Sequence, residues 1–167
     1  MRRSLDIAAA LLIFALPAAA QQQPPMNMEE IKSAAPYHPG LGELMTAFVQ
    51  PRHIKLGLAS AQHDWAYAAY ELGELRETFA DVAELVPKHG DLVVREAIAS
   101  TMKQPMEALD AAIKTKDAAG FTKAYGALTE ACNACHKSAD HPMIVIKVPS
   151  VTGTAFPDQE FAPQPRK

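Results

Sequence analysis

From Gly40 to His136, apolar residues recur three and four positions apart, as they do on the buried face of an amphipathic helix. No segment in this stretch shows the two-residue alternation of a half-buried strand. The pattern predicts four helices, which cover about residues 41–61, 65–86, 92–116 and 117–138. Because the connections between them are short, consecutive helices are expected to be antiparallel neighbours. The sequence therefore predicts an all-α fold, an antiparallel four-helix bundle over residues 40–138.

Two prolines lie within these helical patterns. Pro51 interrupts the first helix, and Pro105 lies near the middle of the third. A proline inside a helix has no amide hydrogen to donate, and its ring crowds the carbonyl four residues earlier. The first helix is therefore expected either to bend near Val49 or to consist of two shorter pieces.

Both ends of the chain differ from the bundle in composition. Arg2 and Arg3 precede an apolar run and then alanines that end at Ala20, which is the order of a secretory signal peptide. The apolar run is shorter than the roughly 20 residues that span a bilayer. Cleavage after Ala20 and a soluble periplasmic product are therefore expected, with an uncleaved N-terminal anchor as the alternative. Residues 21–39 predict a lead-in of low order, and residues 139–167 predict an irregular C-terminal extension.

The charge balance and the motifs exclude several classes of function. Loss of residues 1–20 removes two arginines and one aspartate, so the formal net charge moves from −3 to −4. This acidic balance gives no indication of nucleic-acid binding. No catalytic triad, paired-carboxylate site or phosphate-binding loop is recognisable, which argues against hydrolysis and group transfer.

The chain contains only two cysteines, and both belong to the string Cys132-Asn133-Ala134-Cys135-His136. In an oxidising compartment such a pair indicates a redox dithiol, a metal site or thioether attachment of haem. A thioredoxin-like dithiol sits at a helix N-terminus, where the helix dipole lowers the thiol pKa, whereas this motif comes about fifteen residues into a helical pattern. A zinc site needs a fourth ligand, for which His141 is the one close candidate. Covalent haem is the interpretation that uses both thiols and the histidine.

With an export signal, four helices and a C-x-x-C-H motif at the end of the last helix, the chain resembles the class II c-type cytochromes, the cytochrome c prime family. The resemblance covers about residues 40–138 and is most specific over Leu128–His136. It implies one covalent haem c on Cys132 and Cys135, with His136 as an axial iron ligand. The two internal prolines and a tail of about thirty residues depart from the family pattern and indicate a separate branch.

In that family the second axial position is filled, or left open, by residues from the first helix. At the corresponding positions this chain has Met45 and Phe48. His53 lies further along and off the centre of the apolar stripe, but a kink at Pro51 gives it a route inwards. We expect His53 as the distal ligand, with Met45 or a site left open or blocked by Phe48 as the alternatives.

The resemblance also implies a function and a set of partners. The expected role is one-electron transfer between redox protein partners, without an enzymatic activity of its own. Arg52 is expected to pair with a haem propionate. A bundle with a vacant distal position would instead bind small gases such as nitric oxide or carbon monoxide. A haem peroxidase that uses His53 is a third hypothesis. The family also allows a homodimer.

Overall fold

The computed structural model describes residues 37–150. The predicted signal peptide, most of the predicted lead-in and the tail from residue 151 onwards lie outside the described residues and stay predictions. Within residues 37–150, no helix is long and apolar enough to cross a membrane.

Four helical segments pack against one another in an antiparallel bundle, which confirms the predicted fold class. The helical elements are α1 Leu41–Leu44, a π-helical turn Met45–Val49, α2 Gln50–Ala61, α3 Trp65–Leu85, α4 Val94–Thr115 and α5 Ala118–Ser138. The first bundle helix is continuous and consists of α1, the π turn and α2. Helix α5 packs on α4, α4 on α3 and α3 on α2, as the order along the chain predicts.

Short side chains cap the helices that the sequence predicts. The carboxylate of Asp64 accepts a hydrogen bond of 3.1 Å from the Tyr67 amide at the start of α3, and that of Asp117 accepts one of 3.0 Å from Gly120 at the start of α5. Each carboxylate supplies an acceptor to an amide that has no partner inside its helix. Lys116 adopts a left-handed conformation with φ of 57° and ends α4. These two carboxylates lie directly before α3 and α5, and the predicted starts of both helices agree with the observed ones within one residue.

The irregularity predicted at Pro51 takes the form of the π turn that precedes it. The amide of Gln50 donates to the carbonyl of Met45, which widens the helix by one residue just before the proline. A regular α-helix would instead press the Pro51 ring against the carbonyl four residues earlier. The chain stays helical from α1 through α2, and α4 likewise continues through Pro105.

The π turn rotates the buried face of the first bundle helix. Its buried residues Leu44, Val49, His53 and Leu56 follow steps of five, four and three residues. An uninterrupted α-helix would have no five-residue step. Phe48 consequently lies on the outer side and is 54% exposed, so the expectation that it faces the same interior as Met45 is wrong.

A small hairpin and the tail complete the fold. Strand β1 (Lys88–His89) pairs antiparallel with β2 (Leu92–Val93) through a turn at Gly90, whose φ is 58°. The sequence does not predict this hairpin, because two residues per strand are too few to show alternation. After α5, the chain reverses at Asp140 with φ of 60°, and the described tail contains no strand.

We expect Gly57→Ala to destabilise the fold, because a Cβ at Gly57 would lie 2.7 Å from Pro149 Cγ and 2.8 Å from the Tyr125 hydroxyl. Crowding of this kind costs about 1–3 kcal/mol in a packed interior. The matched control is Gly73→Ala in α3, where a Cβ meets nothing within 4 Å. Alanine there should raise the free energy of unfolding by up to about 1 kcal/mol through helix propensity. Urea unfolding of both variants measures the difference, and equal effects would contradict the close approach at Gly57.

Candidate functional site

A cavity of about 210 Å³ lies at one end of the bundle. The first bundle helix, α4 and α5 form its sides, and the β1–β2 hairpin and the tail contribute to its rim. Most of its lining is apolar, and the larger apolar residues in it are Leu41, Met45, Val49, Phe79, Ile98 and Met102. An apolar pocket with few polar groups is the kind of site that holds a small molecule or cofactor.

The two thiols and the adjacent imidazole of the sequence motif all line this cavity. Cys132, Cys135 and His136 occupy positions i, i+3 and i+4 near the end of α5, which places them on one helical face. Both cysteines are free thiols and are partly buried. The structure thus brings together the three residues predicted to attach haem.

The ionisation of the two thiols argues against a redox dithiol. Burial raises the pKa of Cys132 to about 12 and also raises the pKa of Cys135. Thiol–disulfide exchange needs the thiolate, which catalytic dithiols obtain from a lowered pKa at a helix N-terminus. Here the motif lies near the C-terminal end of α5, so both thiols stay protonated at neutral pH.

One ring nitrogen of His136 forms a hydrogen bond with a backbone carbonyl group. Its Nδ1 lies 3.0 Å from the carbonyl oxygen of Ile144 in the tail. Because a carbonyl oxygen only accepts, Nδ1 is the donor of this hydrogen bond, which favours the tautomer with the lone pair on Nε2. Histidines that bind metals commonly have this arrangement, since the second hydrogen bond fixes the tautomer and the ring orientation.

Met45, Val49 and His53 line the cavity on the side of the first bundle helix. Their heights along the bundle axis relative to His136 follow from one contact between the first bundle helix and α5. This contact is the hydrogen bond between His53 and Thr129. The helices are antiparallel, and His136 lies seven residues beyond Thr129, or about 10 Å along the axis. The residue of the first bundle helix at the level of His136 is therefore Met45 or its neighbour, and His53 lies about two turns deeper.

His53 does turn inwards, as the sequence analysis predicts. It is 3% exposed, and both of its ring nitrogens have hydroxyl partners: Nε2 lies 3.1 Å from Thr129 Oγ1 and Nδ1 lies 3.0 Å from the Tyr125 hydroxyl. Tyr125 also bonds to the backbone carbonyl of His53. Burial lowers the pKa of His53 to about 4, so the ring is neutral at physiological pH. To bind iron, this histidine would have to give up one of its hydroxyl partners.

Arg52 neutralises carboxylates on α3. Its guanidinium forms ion pairs of 3.3 Å with Glu71 and 2.8 Å with Glu74, and Glu71 is only 1% exposed. A buried carboxylate needs such a partner, because an unpaired charge in the interior is costly. Arg52 is not among the residues that line the cavity, so its contact with a haem propionate stays a prediction without support from the geometry.

The residues of the cavity suit a covalently attached haem better than a bare metal ion. In the described part of the chain, no three His, Cys, Asp or Glu side chains are placed to hold a metal ion, although His141 reaches the cavity rim. A haem iron needs only one or two protein ligands, because the porphyrin supplies the others. Two thiols, an imidazole with a fixed tautomer and apolar walls are the groups that such a haem requires.

Several residues at the cavity rim were not predicted from the sequence to be part of the site. His89 and Leu92 reach it from the hairpin, and Ile144 and Ile146 reach it from the tail. The rings of His89 and His141 lie 5.6 Å apart between their centroids. The signal in the sequence was the apolar run at residues 143–146, two of whose members line the cavity.

The low pKa of His53 predicts a pH dependence of stability. The folded pKa of about 4 lies below the ordinary 6.5, so between these values the unfolded chain binds a proton that the folded chain does not. Folding stability should therefore fall by roughly 3 kcal/mol as the pH drops from about 6.5 to 4. The control is His53→Gln, which does not titrate. Urea unfolding across this range should show the extra loss in the wild type, and parallel curves for the two proteins would contradict the burial of a neutral imidazole.

Compared with protein-family models, with curated proteins and with solved structures, the chain matches none. The function must therefore be argued from the chemistry of this cavity.

Proposed function

We propose that this chain is an exported c-type cytochrome that carries single electrons between redox proteins. One haem would be attached through Cys132 and Cys135, with His136 as the axial ligand. The observation that carries the proposal is the convergence of these three side chains on one apolar cavity. Haem would supply an iron that changes its oxidation state by one electron.

The chain contributes attachment, orientation and exclusion of water. Thioether bonds at Cys132 and Cys135 would fix the edge of the ring to the last turns of α5. The hydrogen bond from His136 Nδ1 to Ile144 presents the unprotonated Nε2 as the donor atom. The apolar walls from the first bundle helix and α4 keep the surroundings at low dielectric, which is one of the ways in which a protein sets a reduction potential.

For the distal ligand, the geometry favours Met45 over His53. Met45 lines the cavity at the level of His136, and a thioether with a histidine is a known axial pair of electron-carrying cytochromes. His53 lies deeper and is held by two hydroxyl groups. The distal ligand expected from the sequence is therefore replaced in this proposal by Met45.

Export is part of the same proposal. The signal-peptide pattern in residues 1–20 would direct the chain to the periplasm, where the thioether bonds would form after translocation. The partners would be other redox proteins of that compartment.

Covalent attachment is tested with variants of the two cysteines. Wild-type protein, expressed with its signal and with a haem-maturation system, should keep its haem through denaturation and acid–acetone extraction. Cys132→Ala combined with Cys135→Ala should reduce the retained haem to near zero, because no thioether can form. Ala134→Ser is the matched control, since Ala134 is an exposed position inside the same motif. Wild-type haem that extracts freely would contradict the proposal.

The distal ligand is tested with Met45→Ala, His53→Gln and Phe48→Ala. If Met45 binds the iron, the wild type should be low-spin and should react slowly with carbon monoxide, because a bound side chain must first dissociate. Met45→Ala should then become high-spin and bind carbon monoxide several-fold faster. The other two variants should leave the absorption spectrum almost unchanged. The amide of glutamine at position 53 can still donate to and accept from the buried hydroxyl groups that set the helix register, and Phe48 faces outwards.

Two outcomes of this experiment would change the assignment. Loss of the low-spin spectrum in His53→Gln alone would restore His53 as the ligand. A wild type that is high-spin and binds carbon monoxide at once would instead support the gas-binding function that the sequence left open.

A further inference from the structure

The described part of the tail, up to residue 150, returns along the end of α5. After the reversal at Asp140, the amide of His141 donates to the carbonyl of His136 at 2.8 Å, and the amide of Ile144 donates to that of His141 at 3.1 Å. The following residues then run back beside the C-x-x-C-H motif, Cys132–His136. The tail thereby forms part of the cavity rim through Ile144 and Ile146.

Asn133, the first variable residue of the motif, holds this returning segment at two points. Its side-chain carbonyl accepts from the Ile146 amide at 2.7 Å, and its side-chain amide donates to the Ile146 carbonyl at 3.0 Å. One side chain thus satisfies both backbone groups of a residue that has no strand partner. An asparagine can do this because it carries a donor and an acceptor on one planar group.

The same segment contacts His136 one helical turn further along α5. Asn133 pairs with residue 146, and His136 pairs with residue 144 through its Nδ1 and the Ile144 carbonyl, at 3.0 Å. Only one residue of the tail, Val145, lies between these two contacts. The His141 carbonyl holds Ile144 through its amide on one side, and the anchor at Asn133 holds the chain on the other side, where the Ile144 carbonyl lies.

We propose that Asn133 is a positioning residue, which anchors the tail so that the Ile144 carbonyl fixes the tautomer and orientation of His136. Where the proposed haem is bound, an imidazole whose Nδ1–H is hydrogen bonded is a stronger donor and favours the oxidised iron. Loss of the anchor should then raise the reduction potential. This last step rests on the proposed function, whereas the anchoring of His136 does not.

The first measurement is hydrogen exchange of the full chain as isolated, in wild type, Asn133→Ala, Asn133→Asp and Ala134→Ser. Asn133→Ala removes both hydrogen bonds, so the Ile146 amide should exchange roughly tenfold faster. Asn133→Asp retains the acceptor for that amide and loses the donor, so its exchange rate should be intermediate. Ala134→Ser should match the wild type. Unchanged exchange within α3 and α4 shows that the bundle itself has stayed folded.

The second measurement follows His136. In the haem-loaded protein, Asn133→Ala should raise the reduction potential with the haem content unchanged, and Asn133→Asp should lie between it and the wild type. If the wild type carries no haem, the proposed function fails. The inference is then decided by ring nitrogen NMR, in which Asn133→Ala should lose the predominance of the Nδ1–H tautomer.

Two results would overturn the inference. One is an unchanged exchange rate of the Ile146 amide in Asn133→Ala. The other is faster exchange in the tail together with an unchanged potential, or an unchanged tautomer in protein without haem, because Asn133 would then hold the tail without positioning His136.

Discussion

The hydrogen-bonded cluster of His53, Tyr125 and Thr129 fixes the first bundle helix against α5, and the rest of the site depends on it. Two of the three side chains come from α5, and the imidazole comes from α2, so the cluster sets the register of the two helices. A neutral buried imidazole is tolerated there because both ring nitrogens have partners. No buried side-chain nitrogen or oxygen in residues 37–150 is left without a partner. That register places Met45 at the level of His136.

The π turn is the second constraint, and it acts together with the first. It absorbs the crowding that Pro51 would otherwise cause, and it adds one residue to the turn that precedes His53. Without that residue, the apolar face of α1 would be rotated by about 100° relative to α2. Pro51, the π turn and the inward orientation of His53 are therefore linked. His53 contributes to the packing of the bundle, and residues nearer the N-terminus of the same helix line the cavity.

The helices and the shared face of the C-x-x-C-H motif could be predicted from the sequence, whereas most of the other residues that line the cavity could not. The helices followed from helical periodicity, which is a local signal, and the caps at Asp64 and Asp117 are local to the helices that they begin. The motif is also local, since Cys132, Cys135 and His136 share a face wherever their helix forms. The outward position of Phe48 could not be predicted, because the regular period of 3.6 residues does not hold through the π turn.

The remaining features depend on contacts between residues distant in the sequence. Nothing near His53 in the chain indicates the hydroxyl groups of Tyr125 and Thr129, more than seventy positions away. The return of the tail depends on Asp140 in a left-handed conformation and on Asn133, whose place in the motif gives no hint of a role. The ion pair of Arg52 with Glu71 likewise joins two different helices, so no local pattern in the sequence indicates it.

The central claim is that both thiols of the motif are consumed by covalent attachment of a single haem. Denaturing mass spectrometry of the exported protein after treatment with a thiol-alkylating reagent tests it most directly. The account predicts the mass of the polypeptide plus one haem, with no alkylation at Cys132 or Cys135. A mass without haem, with both cysteines alkylated or joined in a disulfide, would contradict it.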